Sequence, residues 1–409
     1  MNSDKLPNLR HLRLALLVLR GDSLRVAAEK LRLTQPAASL ALSALEKSYE
    51  VLFFTRTPIG LAANEFGDVI RLRASNVFDE LAAAFPQSVS EPPKAHVASR
   101  ITIAQVSALA AMQQQNSFRA ASEVIGVLPT TIQRAISSLE ADLGVKLTER
   151  DDHAVRLNLA GRRLSEYAGR AVAEAKAIRA DILELKGVIG GVVSMGVVRA
   201  AASDFVPNAV AEVANIAGEV RFEILQENLQ IMLGLLRGGR IDVVCSTIRD
   251  EFPADIEREM LGRTRLGMYC SPSHPLAGQA ICDIRELSRF GWVLPSAQTG
   301  AAKAFRRLFK ESGVDLPSVV VETNSTEIIQ QLVQTRFFLT ISTKMDGAGF
   351  WGNELEQIVF DAWGLERPMW LMYRKGWRPT KLQELVLESL RRLCVMSSRT
   401  NSSNLDNLE

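Results

Sequence analysis

The chain has 409 residues, a formal net charge of +2 and 47% apolar residues. A chain of this length is too long for one hydrophobic core, so we expect two to four domains. No apolar run reaches the roughly 18–20 residues that a membrane span needs, and the polar segment 1–7 does not resemble a secretory signal. These features favour a cytoplasmic protein without a membrane partner, and the near-neutral charge neither indicates nor excludes nucleic-acid binding.

The segment 23–67 recurs as 117–161, shifted by 94 positions without a gap. Identical residues occupy 12 of the 45 aligned positions, far more than the roughly one in fifteen expected from composition. The period is too long and the copies too few for a solenoid. One small domain is therefore present twice, as copy one and copy two. The identical pairs are Ser23/Ser117, Arg25/Arg119, Ala27/Ala121, Glu29/Glu123, Ala41/Ala135, Ser43/Ser137, Leu45/Leu139, Glu46/Glu140, Val51/Val145, Arg56/Arg150, Asn64/Asn158 and Gly67/Gly161.

Each copy is expected to fold as three helices. A helical run at 9–20 or 103–115 precedes a polar break whose serine, Ser23 or Ser117, is a good N-cap for the second helix. The third helix begins at 34–36 or 128–130 with a proline in its first turn, where the missing N–H costs nothing. Apolar residues at i, i+4 and i+7 give this helix one buried face, so its polar side chains point outward. They are Gln35, Ser39 and Ser43 in copy one, and Thr131, Arg134 and Ser138 in copy two.

Two helices joined by a short turn, the second with a polar outer face, are typical of a helix-turn-helix. The second helix of such a pair enters the major groove of DNA. A short hairpin, or wing, is expected after it, at 51–62 and 145–157. An arginine at the base of each wing, Arg56 or Arg150, is well placed to contact a phosphate.

These motifs resemble the DNA-binding domain of LysR-type transcriptional regulators. The resemblance rests on Ser-Leu-Arg-Val-Ala-Ala-Glu-Lys-Leu (23–31) and Thr-Gln-Pro-Ala-Ala-Ser (34–39) in copy one, and on Ser-Phe-Arg-Ala-Ala-Ser (117–122) and Leu-Ala-Gly (159–161) in copy two. It implies a winged helix-turn-helix fold for both copies and double-stranded DNA as a partner. The DNA-binding residues that it implies are Ser23, Arg25, Thr34, Gln35, Pro36, Ser39, Ser43, Arg56, Ser117, Arg119, Thr130, Thr131, Gln133, Arg134 and Arg150.

Neither copy matches the family pattern completely. Copy one has Leu40 where the family often has a basic residue, and Glu50 where copy two has Gly144. Copy two has Leu128-Pro129 in place of a Thr-Gln, and its wing carries Asp151-Asp152, which repel phosphate. Two hypotheses remain open: that both copies read DNA jointly, or that one is degenerate and only pairs with protein.

A helix with a heptad seam follows each copy. In copy one the seam ends at Pro86, and the proline-containing stretch 86–99 is expected to be a stiff linker. In the family the second of these helices dimerises the protein, whereas burial against its own domain is the alternative. The expected dimer-helix residues are Leu164, Ala168, Ala171, Ala175, Ile178, Ile182 and Leu185.

From about residue 190 the pattern changes to alternating strands and helices, which is typical of an α/β domain with mostly parallel strands. This half resembles the effector-binding domain of the same family, which is similar to periplasmic binding proteins and has a ligand cleft between two lobes. Helix N-termini at the strand ends favour a small polar or anionic ligand, an organic acid or a sugar, with Arg199 as the expected anion partner. Ordinary N-capping is the alternative for each hydroxyl. The expected effector-binding residues are Arg199, Ala201, Ser203, Thr247, Ser296, Thr299, Asn324, Ser325 and Ser342.

No enzyme motif stands out. Cys245, Cys270, Cys282 and Cys394 form no CxxC pair, the four histidines are scattered, and the chain lacks a glycine-rich phosphate loop and a GxSxG motif. We expect buried, reduced thiols, no metal, no cofactor and no catalytic residue.

The sequence thus predicts a multidomain fold: two all-α-rich winged helix-turn-helix domains, each followed by a dimer-type helix, then an α/β two-lobed periplasmic-binding-protein-like domain. It predicts a DNA-binding regulator that responds to a small effector as a homodimer or homotetramer, with RNA polymerase as a further candidate partner. The alternative is an α/β binding protein whose helical domains serve only oligomerisation. The expected boundaries are 1–85 and 101–160 for the two copies, 86–100 for the linker, 161–187 for the dimer helix, 190–395 for the α/β domain and 396–409 for a disordered tail.

Overall fold

The structure is a computed structural model. It describes residues 6–57, 60–84, 100–115, 117–151, 154–197, 205–247, 253–281, 283–344, 355–360 and 366–403. The expected fold class is confirmed, because two helical copies precede a two-lobed α/β domain. No helix within these ranges is long and apolar enough to span a bilayer.

Copy one consists of three helices, an antiparallel hairpin and a long fourth helix. Side-chain caps fix the starts of the second and third helices, because Ser23 accepts a hydrogen bond from the N–H of Val26 and Thr34 accepts one from Ala37. The wing is the hairpin of β1 and β2. The elements are α1 (Leu9–Leu19), α2 (Leu24–Lys30), α3 (Gln35–Tyr49), β1 (Phe54–Thr57), β2 (Gly60–Ala63) and α4 (Glu65–Ala83).

Copy two repeats this order of elements. Thr102 and Gln105 form a capping box at its first helix, and Ser117 caps the second. The third helix has no side-chain cap, because Leu128 occupies the position of Thr34. The elements are α5 (Ile103–Ala111), a 3-10 turn (Met112–Gln114), α6 (Phe118–Ile125), α7 (Pro129–Leu143), β3 (Thr148–Asp151), β4 (Ala154–Leu157) and α8 (Leu159–Leu185).

The repeated glutamate holds each wing against its third helix. Glu46 Oε1 accepts the N–H of Phe53 at 2.9 Å, and Glu140 Oε1 accepts the N–H of Leu147 at the same distance. Burial raises the pKa of Glu140, but hydrogen bonds from Lys146 and from backbone N–H groups outweigh burial and bring that pKa below its ordinary value. The identical glutamates therefore stabilise the fold of each copy.

The repeated asparagine and glycine join each wing to the long helix that follows it. Asn64 caps α4 through the N–H of Gly67 and donates to the carbonyl of Leu52; Asn158 makes the equivalent contacts in copy two. A Cβ at Gly67 or Gly161 would collide with a wing carbonyl. These identities thus preserve the junction between the wing and the helix.

The helices α4 and α8 pack against each other in antiparallel orientation within one chain. Their contacts run in opposite directions, since Arg73 of α4 reaches Asp181 while Glu80 reaches Arg170. The seam of α4 is buried at Ile70, Ala74, Val77 and Leu81. The expected dimer-helix residues of α8 are buried with it, except that Leu185 is exposed: Leu164, Ala168, Ala171, Ala175, Ile178 and Ile182.

The burial of both seams joins the two copies into one hydrophobic core. The helix seam that we expected to pair separate chains is therefore occupied by the other copy of the same chain. Whether α8 also contacts a second chain remains a prediction. The dimer-type helix expected after copy one is α4, and it packs against α8.

Arg73 is the most buried cation of this helix pair, with 3% of its side chain exposed. Its guanidinium bonds to Asp181 at 2.6 Å, to Glu174 at 3.0 Å and to the carbonyl of Arg378 at 3.0 Å. Because Arg378 belongs to the α/β domain, this one side chain joins α4, α8 and the effector half of the protein.

Arg170 makes a second junction of the same kind. It bonds to Glu80 of α4 at 2.7 Å and to the carbonyl of Arg237 in the α/β domain at 2.9 Å. A Cβ on the adjacent Gly169 would collide with the carbonyl of Gly238, so a glycine here allows the close approach of the α/β domain to α8.

The α/β domain has two lobes connected by two long antiparallel strands, β8 and β14. In the first lobe β5 pairs in parallel with β6 and β7, and in the second β10 pairs in parallel with β11 and β12. Parallel pairing thus forms part of each lobe, as expected, but β14 runs antiparallel to β7, and β8 runs antiparallel to β14 in its first part and to β12 in its second. This extension of β8 was not apparent from the sequence.

The described elements of this domain follow the expected alternation, with a longer final helix. The helix α14 extends to Ser403, which corrects the expected disordered tail as far as that residue; positions 404–409 lie outside the described residues. The elements are β5 (Gly191–Val197), α9 (Phe205–Ile216), β6 (Val220–Leu225), α10 (Leu229–Arg237), β7 (Val243–Ser246), β8 (Ile256–Cys270), β9 (Ala280–Ile281), α11 (Ile284–Leu287), β10 (Gly291–Leu294), α12 (Gly300–Glu311), β11 (Val319–Glu322), α13 (Thr326–Thr335), β12 (Phe338–Lys344), β13 (Glu356–Phe360), β14 (Glu366–Arg374) and α14 (Lys381–Ser403).

Replacing Arg73 by methionine tests the buried ion network. The change leaves Asp181 and Glu174 without their cation, so we expect a loss of about 3–5 kcal/mol in the free energy of unfolding at pH 8, measured by urea denaturation. Arg71→Met is the matched control, because Arg71 pairs with Asp68 on the exposed face of the same helix and such pairs contribute at most about 1 kcal/mol.

The effect of Arg73→Met should also depend on pH. Burial already raises the pKa of Asp181, whereas the hydrogen bond and charge of Arg73 lower it. Without Arg73 the folded pKa rises further above the unfolded one, so the variant loses stability as pH increases. The deficit relative to the wild type should be smaller at pH 5 than at pH 8; a deficit that grows on acidification would contradict this assignment.

Candidate nucleic-acid interface and ligand cleft

The third helix of copy one presents a polar surface to solvent. Gln35, Ser39 and Ser43 are exposed, as is Thr34 at the cap, while Ala38, Leu42 and Leu45 face the core. Pro36 is also exposed in the first turn of α3. The outward placement expected for these side chains is therefore what the structure has.

Copy two presents the corresponding surface with different side chains. Thr130, Thr131, Gln133 and Arg134 are exposed on α7, opposite its buried apolar face. Ser138 is exposed too, but its hydroxyl accepts a hydrogen bond from Gln105 at 3.1 Å. Shifting by 94 positions pairs Ser39 with Gln133 and Leu40 with Arg134.

The flanking arginines are exposed where they can be described. Arg25 and Arg119 occupy equivalent positions, and each forms an i,i+4 ion pair, with Glu29 and Glu123 respectively. Arg150 is exposed on β3. The side chains of Arg56, Asp151 and Asp152 lie outside the described residues, so the phosphate contact expected of Arg56 and the repulsion expected of the aspartates stay predictions.

The departures from the family pattern lie on this surface or beside it. Leu40 is 72% exposed and Leu128 is 70% exposed. Glu50 ends α3 with φ 56°, in the left-handed region, and Gly144 ends α7 with φ 68°. Copy one thus holds a glutamate in a conformation that favours glycine.

Only part of the expected effector site can be located. Arg199, Ala201 and Ser203 lie outside the described residues, and so does the segment 248–252 that follows Thr247. Thr247 is buried at the end of β7. The neighbouring Ser246 hydroxyl is buried without a hydrogen-bond partner among the described residues, which leaves a polar group available at this strand end.

The hydroxyls in the second lobe are largely engaged as helix caps. Thr299 accepts the N–H of Ala302 and donates to the carbonyl of Ser296, and Ser325 accepts the N–H of Ile328. Asn324 accepts the N–H of Ser296 at 3.3 Å, which brings these two turns together. Ser342 is half-buried on β12, opposite Gly267 of β8. For Thr299 and Ser325 the ordinary capping interpretation describes the contacts.

Arg367, which was not among the expected effector-binding residues, connects the two lobes. Its Nη2 donates to the carbonyl of Thr247 at 2.8 Å, and a Cβ at Gly300 would collide with the same atom. The guanidinium therefore lies beside the first turn of α12, where a helix carries partial positive charge. No local signal marks Arg367, because only the extension of β14 to Glu366 brings it beside Thr247 and Gly300.

The described cysteines are buried thiols without disulfide bonds. Burial raises the pKa of Cys245 to about 12, with a further increase from Cys394, and raises that of Cys394 to about 11. Within the described ranges no group of three or more histidine, cysteine or carboxylate side chains is arranged to hold a metal ion.

Two known protein families match most of the chain. The family of bacterial regulatory helix-turn-helix proteins of the LysR type matches twice, over 9–68 and 103–162. The LysR substrate binding domain matches 186–395. The chain belongs to the LysR family of DNA-binding transcriptional regulators and has an effector-binding domain; proteins of this family are not enzymes.

Individual relatives are distant in sequence. The chain is 23% identical over 377 residues to the HTH-type transcriptional regulator GalR of Pseudomonas putida, covering 91% of this chain and 94% of GalR. It is 23% identical to the RuBisCO operon transcriptional regulator of Allochromatium vinosum over 280 residues, 68% of this chain and 91% of that one. The structure of a full-length OxyR variant from Pseudomonas aeruginosa matches with a TM-score of 0.54 and 20% identity, over 72% of this chain and 95% of OxyR. This last likeness shows a shared fold.

Exchanging the residues at the ends of α3 and α7 tests the cost of the left-handed turn. We expect Glu50→Gly to stabilise the protein by about 1 kcal/mol, because glycine adopts positive φ without a Cβ penalty. The reciprocal Gly144→Glu should destabilise it by a similar amount; a Cβ there has open space around it, so the cost arises in the backbone. Urea unfolding of both variants measures the effect, and a loss of stability in Glu50→Gly would show that the glutamate side chain matters more than the strain.

Proposed function

We propose that this protein binds a specific operator through both winged helix-turn-helix copies and acts in the cytoplasm as an effector-controlled transcriptional regulator. The observation that carries the proposal is the pair of exposed recognition surfaces on α3 and α7, mounted on one continuous core. Gln35 and Arg134 bring side chains that hydrogen-bond to base edges, and Arg25 and Arg119 bring exposed cations near each surface. Because both copies present such a surface, two DNA-reading copies are favoured over one degenerate copy.

The oligomerisation alternative has less support. Helical domains that served only to join chains would keep an apolar seam exposed for a partner, whereas the described seams of α4 and α8 are buried against each other. A homodimer or homotetramer would then assemble through other surfaces, and RNA polymerase would meet the assembly on DNA.

Alanine substitutions on the two surfaces test the DNA-binding proposal. A bound site is first selected from randomised duplexes with the full chain, and its affinity is measured by gel shift. We expect Gln35→Ala and Arg134→Ala each to weaken binding roughly tenfold or more, because one bidentate base contact contributes about 1–3 kcal/mol. Arg307→Ala, an exposed arginine of α12 in the α/β domain, is the matched control and should leave the affinity unchanged.

The pattern of losses distinguishes the hypotheses. A loss with Gln35→Ala alone makes copy one the reader, and a loss with Arg134→Ala alone makes copy two the reader. Losses with both support joint reading. If the wild-type chain selects no sequence, the regulator proposal fails.

For the effector we propose a small anionic ligand, an organic acid class, held in the interlobe cleft by Arg367 and the first turn of α12. A guanidinium beside a helix N-terminus concentrates positive potential at one point. The carbonyl of Thr247 accepts a hydrogen bond from Arg367, so Thr247 borders the same site from the first lobe. Arg199 remains a second candidate cation, and a neutral sugar is the competing ligand class.

Arg367→Met and Arg307→Gln test the position of the effector. A thermal-shift screen of organic acids and neutral sugars is run on the full chain. A ligand at 100 times its Kd stabilises by about 2.7 kcal/mol, and Arg367→Met should abolish the response to an anionic ligand while Arg307→Gln keeps it. A full response in Arg367→Met would contradict the role of Arg367, and a response to neutral sugars only would contradict the anionic class.

A further inference from the structure

Two contacts between α4 and α8 repeat with the two copies exchanged. Under the 94-residue shift, Asn76 of α4 corresponds to Arg170 of α8, and Glu80 corresponds to Glu174. The structure has Arg170 bonded to Glu80 at 2.7 Å and Asn76 bonded to Glu174 at 3.0 Å. Each contact therefore becomes the other when the copies are swapped.

Such an exchange is the signature of a two-fold, isologous interface, in which position i contacts position j and j contacts i. Symmetric dimers form this kind of interface from two identical subunits. Here the two halves belong to one chain, and the antiparallel helix pair has the internal pseudo-two-fold of a dimer. The third helices, α3 and α7, occupy equivalent places in the element order of the two copies.

The pairing surface is complete within the chain. Ile70, Ala74 and Val77 of α4 are fully buried, as are Ile178 and Ala171 of α8 to within 1% exposure. A second chain has no vacant seam on these described helices to occupy. The paired helices that join the two recognition helices therefore belong to a single polypeptide.

The two copies have kept their scaffold and diverged on their outer surface. The identities include the caps Ser23 and Ser117, the wing-holding glutamates and the helix-junction glycines, whose contacts are equivalent in both copies. On the exposed surface, by contrast, Leu40 of copy one stands where copy two has Arg134. Identical chains in a symmetric dimer cannot differ in this way, but two copies in one chain can.

We propose that one chain occupies one complete operator composed of two unlike half-sites, each copy reading its own half. The proposal rests on the DNA-binding function proposed above. Arg134 favours a guanine, whose O6 and N7 accept a bidentate guanidinium. Leu40, an exposed apolar side chain at the equivalent point of the other half-site, favours the methyl group of a thymine.

A stoichiometric titration tests how many chains bind to one operator duplex. The shortest selected duplex that retains full affinity is labelled and titrated with the full chain, at a DNA concentration far above Kd, while anisotropy is recorded. We expect the anisotropy curve to change slope at one chain per duplex. This ratio is the same if chains also associate through the α/β domain, because each chain then carries its own duplex.

Half-site duplexes test the asymmetry. The selected operator, left-right, is compared with the two symmetrised duplexes, left-left and right-right. We expect the wild type to prefer left-right by roughly tenfold or more. Leu40→Arg should shift the preference toward the duplex with two copies of the half-site read by Arg134, and Arg134→Leu toward the other. Both positions are exposed, and thermal melting checks that the variants are folded.

The outcomes separate the proposals. Absence of any selected sequence contradicts the DNA-binding function itself. Specific binding with a break at two chains per duplex overturns only the single-chain operator. A break at one chain per duplex, combined with identical half-sites and no shift of preference in Leu40→Arg, overturns the asymmetric reading.

Discussion

The buried guanidinium of Arg73 is the contact on which the arrangement of this protein depends. It lies between two helices and a third domain, and two carboxylates and one carbonyl satisfy it. A buried cation is tolerated only when such partners are in place, so the ion network defines one register between α4 and α8. Arg170 repeats the bridge from the opposite helix. Together these arginines make the helix pair and the effector half one connected structure.

This connection joins the effector-binding half to the helix pair of the two copies. The carbonyls that accept from Arg73 and Arg170 belong to Arg378 and Arg237 of the first lobe, and the first lobe meets the second through β8 and β14. A ligand that changes the angle between the lobes would act on the same strands. Coupling of this kind requires that the effector bind the two arrangements with different affinity, and Arg367, which contacts Thr247 in one lobe and adjoins Gly300 in the other, is placed where the lobes meet.

The elements were predictable because their signals are local. Caps such as Ser23, prolines in first turns and the spacing of apolar residues predicted the helices of both copies within a few residues. The outward face of α3, including Gln35, followed from the same periodicity. The extension of α14 to Ser403 and the length of β8 were missed, since neither depends on a local start or stop signal.

The sequence by itself determined that a winged helix-turn-helix is present twice, that each copy carries a seam-bearing helix, and that an α/β domain follows. A seam specifies that an apolar helix face will be buried, but not by what. Only the tertiary structure decided that α4 of the same chain covers α8, because that choice depends on contacts 90 or more positions apart, such as Glu80 with Arg170. The position of Arg367 was decided in the same way, by strand pairing across the whole domain. The sequence showed the duplication, whereas the packing of α4 against α8 decided how the two copies are arranged.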